Sequence, residues 1–127
     1  MDFIKNVSGA PKPVGAYSSA VKAGDFVFLA GQIALDPETG SLVSGGVDAQ
    51  AVQVLKNIDA VLNAAGTSSR QIVLSTIFLA NIADSKIVNE IYGGYVDPER
   101  APARQTVAVK DLPMGALVEI SVIASGQ

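Results

Sequence analysis

Apolar residues recur along this chain in two rhythms. From Tyr17 to Ala34 the run YSSAVKAGDFVFLAGQIA predicts two β segments around Ala23-Gly24-Asp25, a turn signal. Asp36-Pro37-Glu38-Thr39-Gly40 reads as a second turn, followed by a short extended piece through Val43. The rhythm then changes. Val47, Ala51, Val54, Leu55, Ile58, Val61, Leu62 and Ala65 fall at three- and four-residue steps, which puts one apolar stripe along a helix. Gly66 ends that helix as a left-handed cap, and Asp48, Gln53, Lys56, Asp59 and Asn63 form its solvated face.

Ile72 to Asn81, IVLSTIFLAN, is nearly unbroken apolar and rich in β-branched residues, as in a central strand covered on both faces. A second helix follows, with Asp84 or Ser85 as its N-cap and Ile87, Val88, Ile91, Tyr92 and Tyr95 as its inner face. Asp97-Pro98 stops it, because the residue before a proline resists the α region. The stretch PARQTVAVKDLPMGALVEI, Pro102 to Ile120, reads as two strands joined in a hairpin at Asp111-Leu112-Pro113-Met114-Gly115. The order is β-β-α-β-α-β-β within one domain spanning residues 1–127. It describes an α+β fold, a mixed sheet with two helices packed on one face. The other face stays apolar along Val107, Leu117 and Ile123, so another subunit is expected to cover it.

Composition agrees with that expectation. Hydrophobic residues make up 49% of the 127 and charged residues 17%, against about 25% charged in an average soluble domain. A small domain has much surface for its volume, so low charge points to surface buried between copies, a homo-oligomer. There is no cysteine, which fits a reducing compartment. The N-terminus MDFIKNVSGAPKPVG has neither a basic start nor a long apolar run, and no segment reaches the ~20 apolar residues that span a bilayer. A soluble, cytoplasmic protein is expected, and the sequon Asn6-Val7-Ser8 is then a chance match.

The hairpin reading raises the question of its charges. Arg104 opens one apolar strand and Glu119 sits inside the next, within a few cross-strand steps of it. Leu117, Glu119, Ser121 and Ile123 share one face by alternation. Two readings stand side by side. One is a structural ion pair that keeps the hairpin in register. The other is a ligand site, in which the arginine fork grips a carboxylate and the glutamate takes a proton from water.

Elimination narrows the chemistry. Without histidine or cysteine, the Ser-His-Asp and Cys-His nucleophile arrangements are unavailable, as are the common zinc and iron ligand sets. Ser44-Gly45-Gly46-Val47 lacks the Gly-Lys-Ser/Thr ending of a phosphate loop, and no GxGxxG follows a strand. Net charge is −3, and the six lysines and three arginines form no basic stripe, which argues against nucleic acid. What remains is carboxylates, tyrosines, lysines, arginines and backbone amides, a set suited to activating water toward an electrophilic carbon.

Four blocks carry a resemblance: GAYSSAVKAGDFVFLAGQI (15–33), LSTIFLANIAD (74–84), VNEIYGGY (88–95) and the 102–120 stretch. In this order and spacing they resemble the Rid/YjgF family, in particular its RidA-type enamine/imine deaminases, over nearly the whole chain. The resemblance implies a chorismate-mutase-like fold assembled as a homotrimer, with clefts between subunits and neither cofactor nor metal. It also implies hydrolysis of 2-iminobutanoate and 2-iminopropanoate to 2-oxo acids and ammonia, which protects enzymes that depend on pyridoxal phosphate. Under it, Arg104 matches the residue that binds the substrate carboxylate and Glu119 the acid beside the catalytic water. Tyr17 and Asn89 match polar groups lining the cleft, and Gly31 and Thr106 match positions whose backbone amides face the ligand.

The chain departs from the family pattern where Ala30 replaces a frequent serine, Gln105 a small residue and Thr106 a frequent cysteine. Those changes bear on pocket size and polarity more than on reaction class. Two rival functions are a non-catalytic binder or sensor of small 2-oxo acids and an RNA-cleaving translation inhibitor.

Overall fold

Alternation of buried and exposed side chains organises a single mixed sheet. In the computed structural model, which describes residues 1–126, its strands are β1 (Asp2–Ile4), β2 (Ala20–Ala23), β3 (Phe26–Leu29), β4 (Ile72–Leu79), β5 (Ala103–Ala108) and β6 (Val118–Ser125). They lie side by side in the order β1-β2-β3-β6-β4-β5. Only β4 and β5 run parallel, because a helix joins them and a tight turn cannot return a strand in the same direction. The architecture is α+β with two helices, α1 (Val47–Ala64) and α2 (Ser85–Tyr95).

Both helices pack on the sheet face that carries Val27, Ile77, Leu79, Val118, Ile120 and Val122. Ile58 and Leu62 of α1 are fully buried there, each contributing about 1.5–3 kcal/mol relative to exposure. The α1 stripe falls where the periodicity predicts it. Its C-terminus closes as a Schellman turn, with Gly66 N–H donating to Asn63 O and Thr67 N–H to Leu62 O, both at 3.0 Å. Gly66 takes φ +80°, which suits a residue without Cβ.

Two buried polar side chains tie the layers together. Asn57, on the inner side of α1, donates to Leu35 O at 2.9 Å and Ile33 O at 3.2 Å, and accepts from Gln53 Nε2. Gln50 Oε1 accepts from Leu117 N–H at 2.9 Å. The first anchors the chain leaving β3 and the second anchors the chain entering β6.

Four expectations need correction. The segment 102–120 is not a hairpin. β5 pairs with β4, β6 pairs with β3 and β4, and β4 lies between β5 and β6. The crossover through α2 delivers β5 to the far edge, while the long loop after β5 returns β6 to the interior. Second, β4 is covered by helices on one face only; Leu74, Thr76 and Phe78 are half-exposed on the other. Third, Ile87 is 42% exposed rather than inward-facing, while Asp84 holds the expected N-cap position of α2 without a side-chain capping bond. Fourth, a short edge strand, β1, precedes the predicted order. Its three residues give too little alternation to be read.

The face away from the helices carries Phe3, Phe26, Phe28 and Val107, each 42–62% exposed. Among the described residues no helix is long and apolar enough to cross a membrane.

Candidate functional site

Register assigns each candidate to a face. Arg104 pairs with Ser75 and Thr106 with Ile77, both buried on the helix side. Glu119 pairs with Phe78, whose side chain points the other way. Arg104 and Glu119 are therefore two strands apart and on opposite faces. No structural ion pair joins them.

Arg104 projects from an edge strand toward α2. Its Nη1 donates to Asn89 Oδ1 at 2.7 Å, and its guanidinium carbon lies 5.2 Å from the centre of the Tyr92 ring. Tyr92 is buried, and its hydroxyl donates to Ser75 Oγ at 2.8 Å. A cavity of about 310 Å³ opens here, lined by Ser85, Lys86, Val88, Asn89, Arg104 and Thr106 together with Ile77. Two cations and three neutral polar side chains, with no carboxylate, suit an anion. Among the described residues, the ion pair present is Arg70–Asp97 at 3.4 Å, away from this cavity.

Glu119 is half-buried and opens into a second cavity of about 230 Å³, walled by Pro11, Val14, Tyr17, Ile33, Leu35 and Met114 among others. Burial raises its carboxyl above the ordinary range. Gly31 sits directly against it. Pairing of β3 with β6 runs from Phe26↔Ser125 to Phe28↔Ile123, then resumes at Gln32↔Ile120 one residue out of step. That extra residue is a β-bulge, and it brings Gly31 to Glu119. A Cβ at Gly31 would stand 3.0 Å from Glu119 Cδ and closer still to Oε2, so only glycine leaves the carboxylate where it is. The neighbouring amides bond to protein, Ala30 N–H to Ser19 O and Gln32 N–H to Ile120 O. The Gly31 N–H has no backbone acceptor among the described residues.

Tyr17 enters the same cavity from a loop, 45% exposed, and its hydroxyl accepts from Val14 N–H at 3.4 Å. The six sequence candidates thus fall into two groups: Arg104, Asn89 and Thr106 around one cavity, Glu119, Gly31 and Tyr17 around the other. Met114, with φ +58° and 59% exposed, also borders the second cavity. In the sequence it is a turn residue, and nothing in a turn residue's identity signals that it walls a pocket. Ser75 and Tyr92 carry only a strand and a core signal in the sequence, and their link to Arg104 depends on the parallel β4–β5 register. No group of three or more His, Cys, Asp or Glu gathers as for a metal among the described residues.

Comparison with known proteins places this architecture. A family model described as Endoribonuclease L-PSP matches residues 7–125. The chain is 48% identical over 116 residues to Reactive Intermediate Deaminase A, chloroplastic, of Arabidopsis thaliana, covering 91% of this chain and 62% of that protein. The crystal structure of RidA from the Antarctic bacterium Psychrobacter sp. superposes with a TM-score of 0.92 at 40% identity, covering 98% and 99% of the two chains. That of E. coli TdcF with bound serine superposes at 0.89 and 34% identity, covering 98% of each. The matched blocks, the helix–sheet order and these likenesses agree: the chain belongs to the Rid/YjgF family.

Proposed function

We propose that the protein hydrolyses reactive 2-imino acids and their enamine tautomers to 2-oxo acids and ammonia, at a cleft completed by a second copy of the chain. The observation that carries this reading is the division of the site. An exposed, carboxylate-free cationic cavity at Arg104 and a more apolar cavity holding Glu119 lie on opposite faces of one sheet. Neither is sufficient alone. Stacking copies in a ring brings one face of a protomer against its neighbour, as heterologous contacts do. The exposed Phe3, Phe26, Phe28 and Val107 give that contact an apolar surface to bury. A homotrimer is the closed ring proposed.

In this mechanism Arg104 of one protomer grips the substrate carboxylate in two hydrogen bonds, which fixes the imine carbon. Glu119 of its neighbour draws a proton from water as the water oxygen bonds to that carbon. The C=N π electrons move to nitrogen, which takes up a proton from solvent, giving a 2-amino-2-hydroxy acid. Glu119 then returns its proton to the amine, the C–N bond breaks, and the hydroxyl gives its proton to solvent as the 2-oxo acid forms. A carboxyl raised by burial suits both halves of this cycle, since it accepts and releases a proton nearer neutrality. The Gly31 N–H offers a donor to the developing oxygen charge. No cofactor or metal takes part in these steps.

The relative named Reactive Intermediate Deaminase A and the bound serine of the TdcF structure support this chemistry and a small carboxylate ligand. 2-Iminobutanoate and 2-iminopropanoate are the proposed substrates. A pure 2-oxo acid sensor would use the same anion cavity but would not need Glu119. RNA cleavage, suggested by the family model's description, is disfavoured by the net charge of −3 and the absence of histidine. The test couples purified protein to a threonine dehydratase and follows 2-oxobutanoate release, with semicarbazide competing for the imine. Wild type accelerates release and Arg104→Ala does not. Equal rates with and without wild-type protein would remove the deaminase reading.

A further inference from the structure

An arginine that must hold a substrate carboxylate needs its position fixed without losing its charge or its in-plane donors. A carboxylate neighbour would fix it and neutralise it at once. This chain solves the problem with neutral groups. Asn89 and Tyr92 lie three residues apart on α2, so they present to the same side of the helix. Asn89 Oδ1 takes one N–H of Arg104 at 2.7 Å, and the guanidinium stands over the Tyr92 ring at 5.2 Å. A ring beneath the guanidinium engages its face and leaves the edge donors free.

The ring is itself located. Its hydroxyl donates to Ser75 Oγ at 2.8 Å in a buried setting, and Ser75 is the residue paired with Arg104 across β4 and β5. Arginine, serine and tyrosine therefore close a loop: strand rung, hydrogen bond, cation over ring. A movement of α2 along the sheet would shift the ring and the guanidinium relative to the same rung.

We infer that Tyr92, pinned at its hydroxyl by Ser75, is a positioning residue that holds Arg104 with its carboxylate-binding edge outward. This rests on the reading of Arg104 as the carboxylate anchor. The two fail in distinguishable ways.

The experiment replaces Tyr92 by phenylalanine and by phenylalanines of increasing ring fluorination, which keep the ring's shape while draining charge from its face. Calorimetry then measures 2-oxobutanoate binding to each full-length variant, beside wild type and Arg104→Ala. Affinity falls stepwise along the series, by roughly fivefold from phenylalanine to the most fluorinated ring. Melting temperature stays flat, and the kinetic loss appears in KM rather than kcat. Affinity that is flat along the series while Arg104→Ala abolishes binding overturns the platform and leaves the anchor standing. Unchanged binding by Arg104→Ala, or none by wild type, overturns the anchor and the platform with it.

Discussion

Arg104 and Glu119 flank β4 from either side and project from opposite faces of the sheet. Adjacent strands would have made them a plausible ion pair, but with β4 between them each charge is free for another partner. Arg104 finds Asn89 and Tyr92, and Glu119 finds Gly31 and a largely apolar cavity. The functional predictions follow from that separation.

Gly31→Ala is expected to leave the fold intact and to lower activity strongly. The added Cβ meets the far end of the Glu119 side chain rather than backbone, so the carboxylate swings away and the sheet does not have to move. A displaced catalytic group can cost about a hundredfold. The check is kcat/KM beside a melting curve. Full activity with an unchanged melt would mean that the position of the Glu119 carboxylate is not critical.

The pH behaviour of Glu119 has a definite sign. Burial raises its carboxyl, so the native state binds that proton more tightly than the unfolded chain does. This contribution to stability is complete below the ordinary carboxylate range and is lost as pH rises through the raised native value. Glu119→Gln removes the buried charge, so it should melt higher than wild type at neutral pH and no higher in acid. The wild-type rate should rise with pH through an acid limb lying above the ordinary glutamate range, and the variant should stay at the uncatalysed rate throughout. Melts and rates across a pH series check both.

Asn57→Ala tests the support beneath the site. Removing the amide strands the Leu35 carbonyl, which it holds at 2.9 Å, while the Ile33 carbonyl keeps the Leu35 N–H at 2.8 Å. A buried acceptor left unpaired costs about 1–3 kcal/mol. Denaturant unfolding should show that loss, and activity per folded molecule should fall modestly because Ile33 and Leu35 wall the Glu119 cavity.

Much of this was legible in the chain. The α1 stripe from Val47 to Ala65 and its Gly66 cap depend on local spacing, and both are found as read. The β2–β3 turn and the stop at Asp97-Pro98 are equally local. β5 and β6 do not pair, because a turn signal at Pro113–Gly115 reports a change of direction, not the partner a strand finds. Parallel pairing of β4 with β5 is a choice made across α2, and no short stretch records it. The same holds for the site. Arg104 and Glu119 stand out as charges in apolar strands, whereas Ser75 and Tyr92 look like ordinary interior residues until register brings them to Arg104.

The most direct test of the shared cleft is to mix two inactive proteins. Arg104→Ala and Glu119→Gln are co-expressed at equal levels, differently tagged so that hybrid oligomers can be isolated, and assayed with the threonine dehydratase couple. If one protomer supplies the arginine and its neighbour the glutamate, some interfaces in the hybrids hold both native residues. Each mixed ring of three holds one such interface out of three, so the isolated hybrids recover about a third of the wild-type activity. Hybrids as inactive as either parent would contradict the shared cleft.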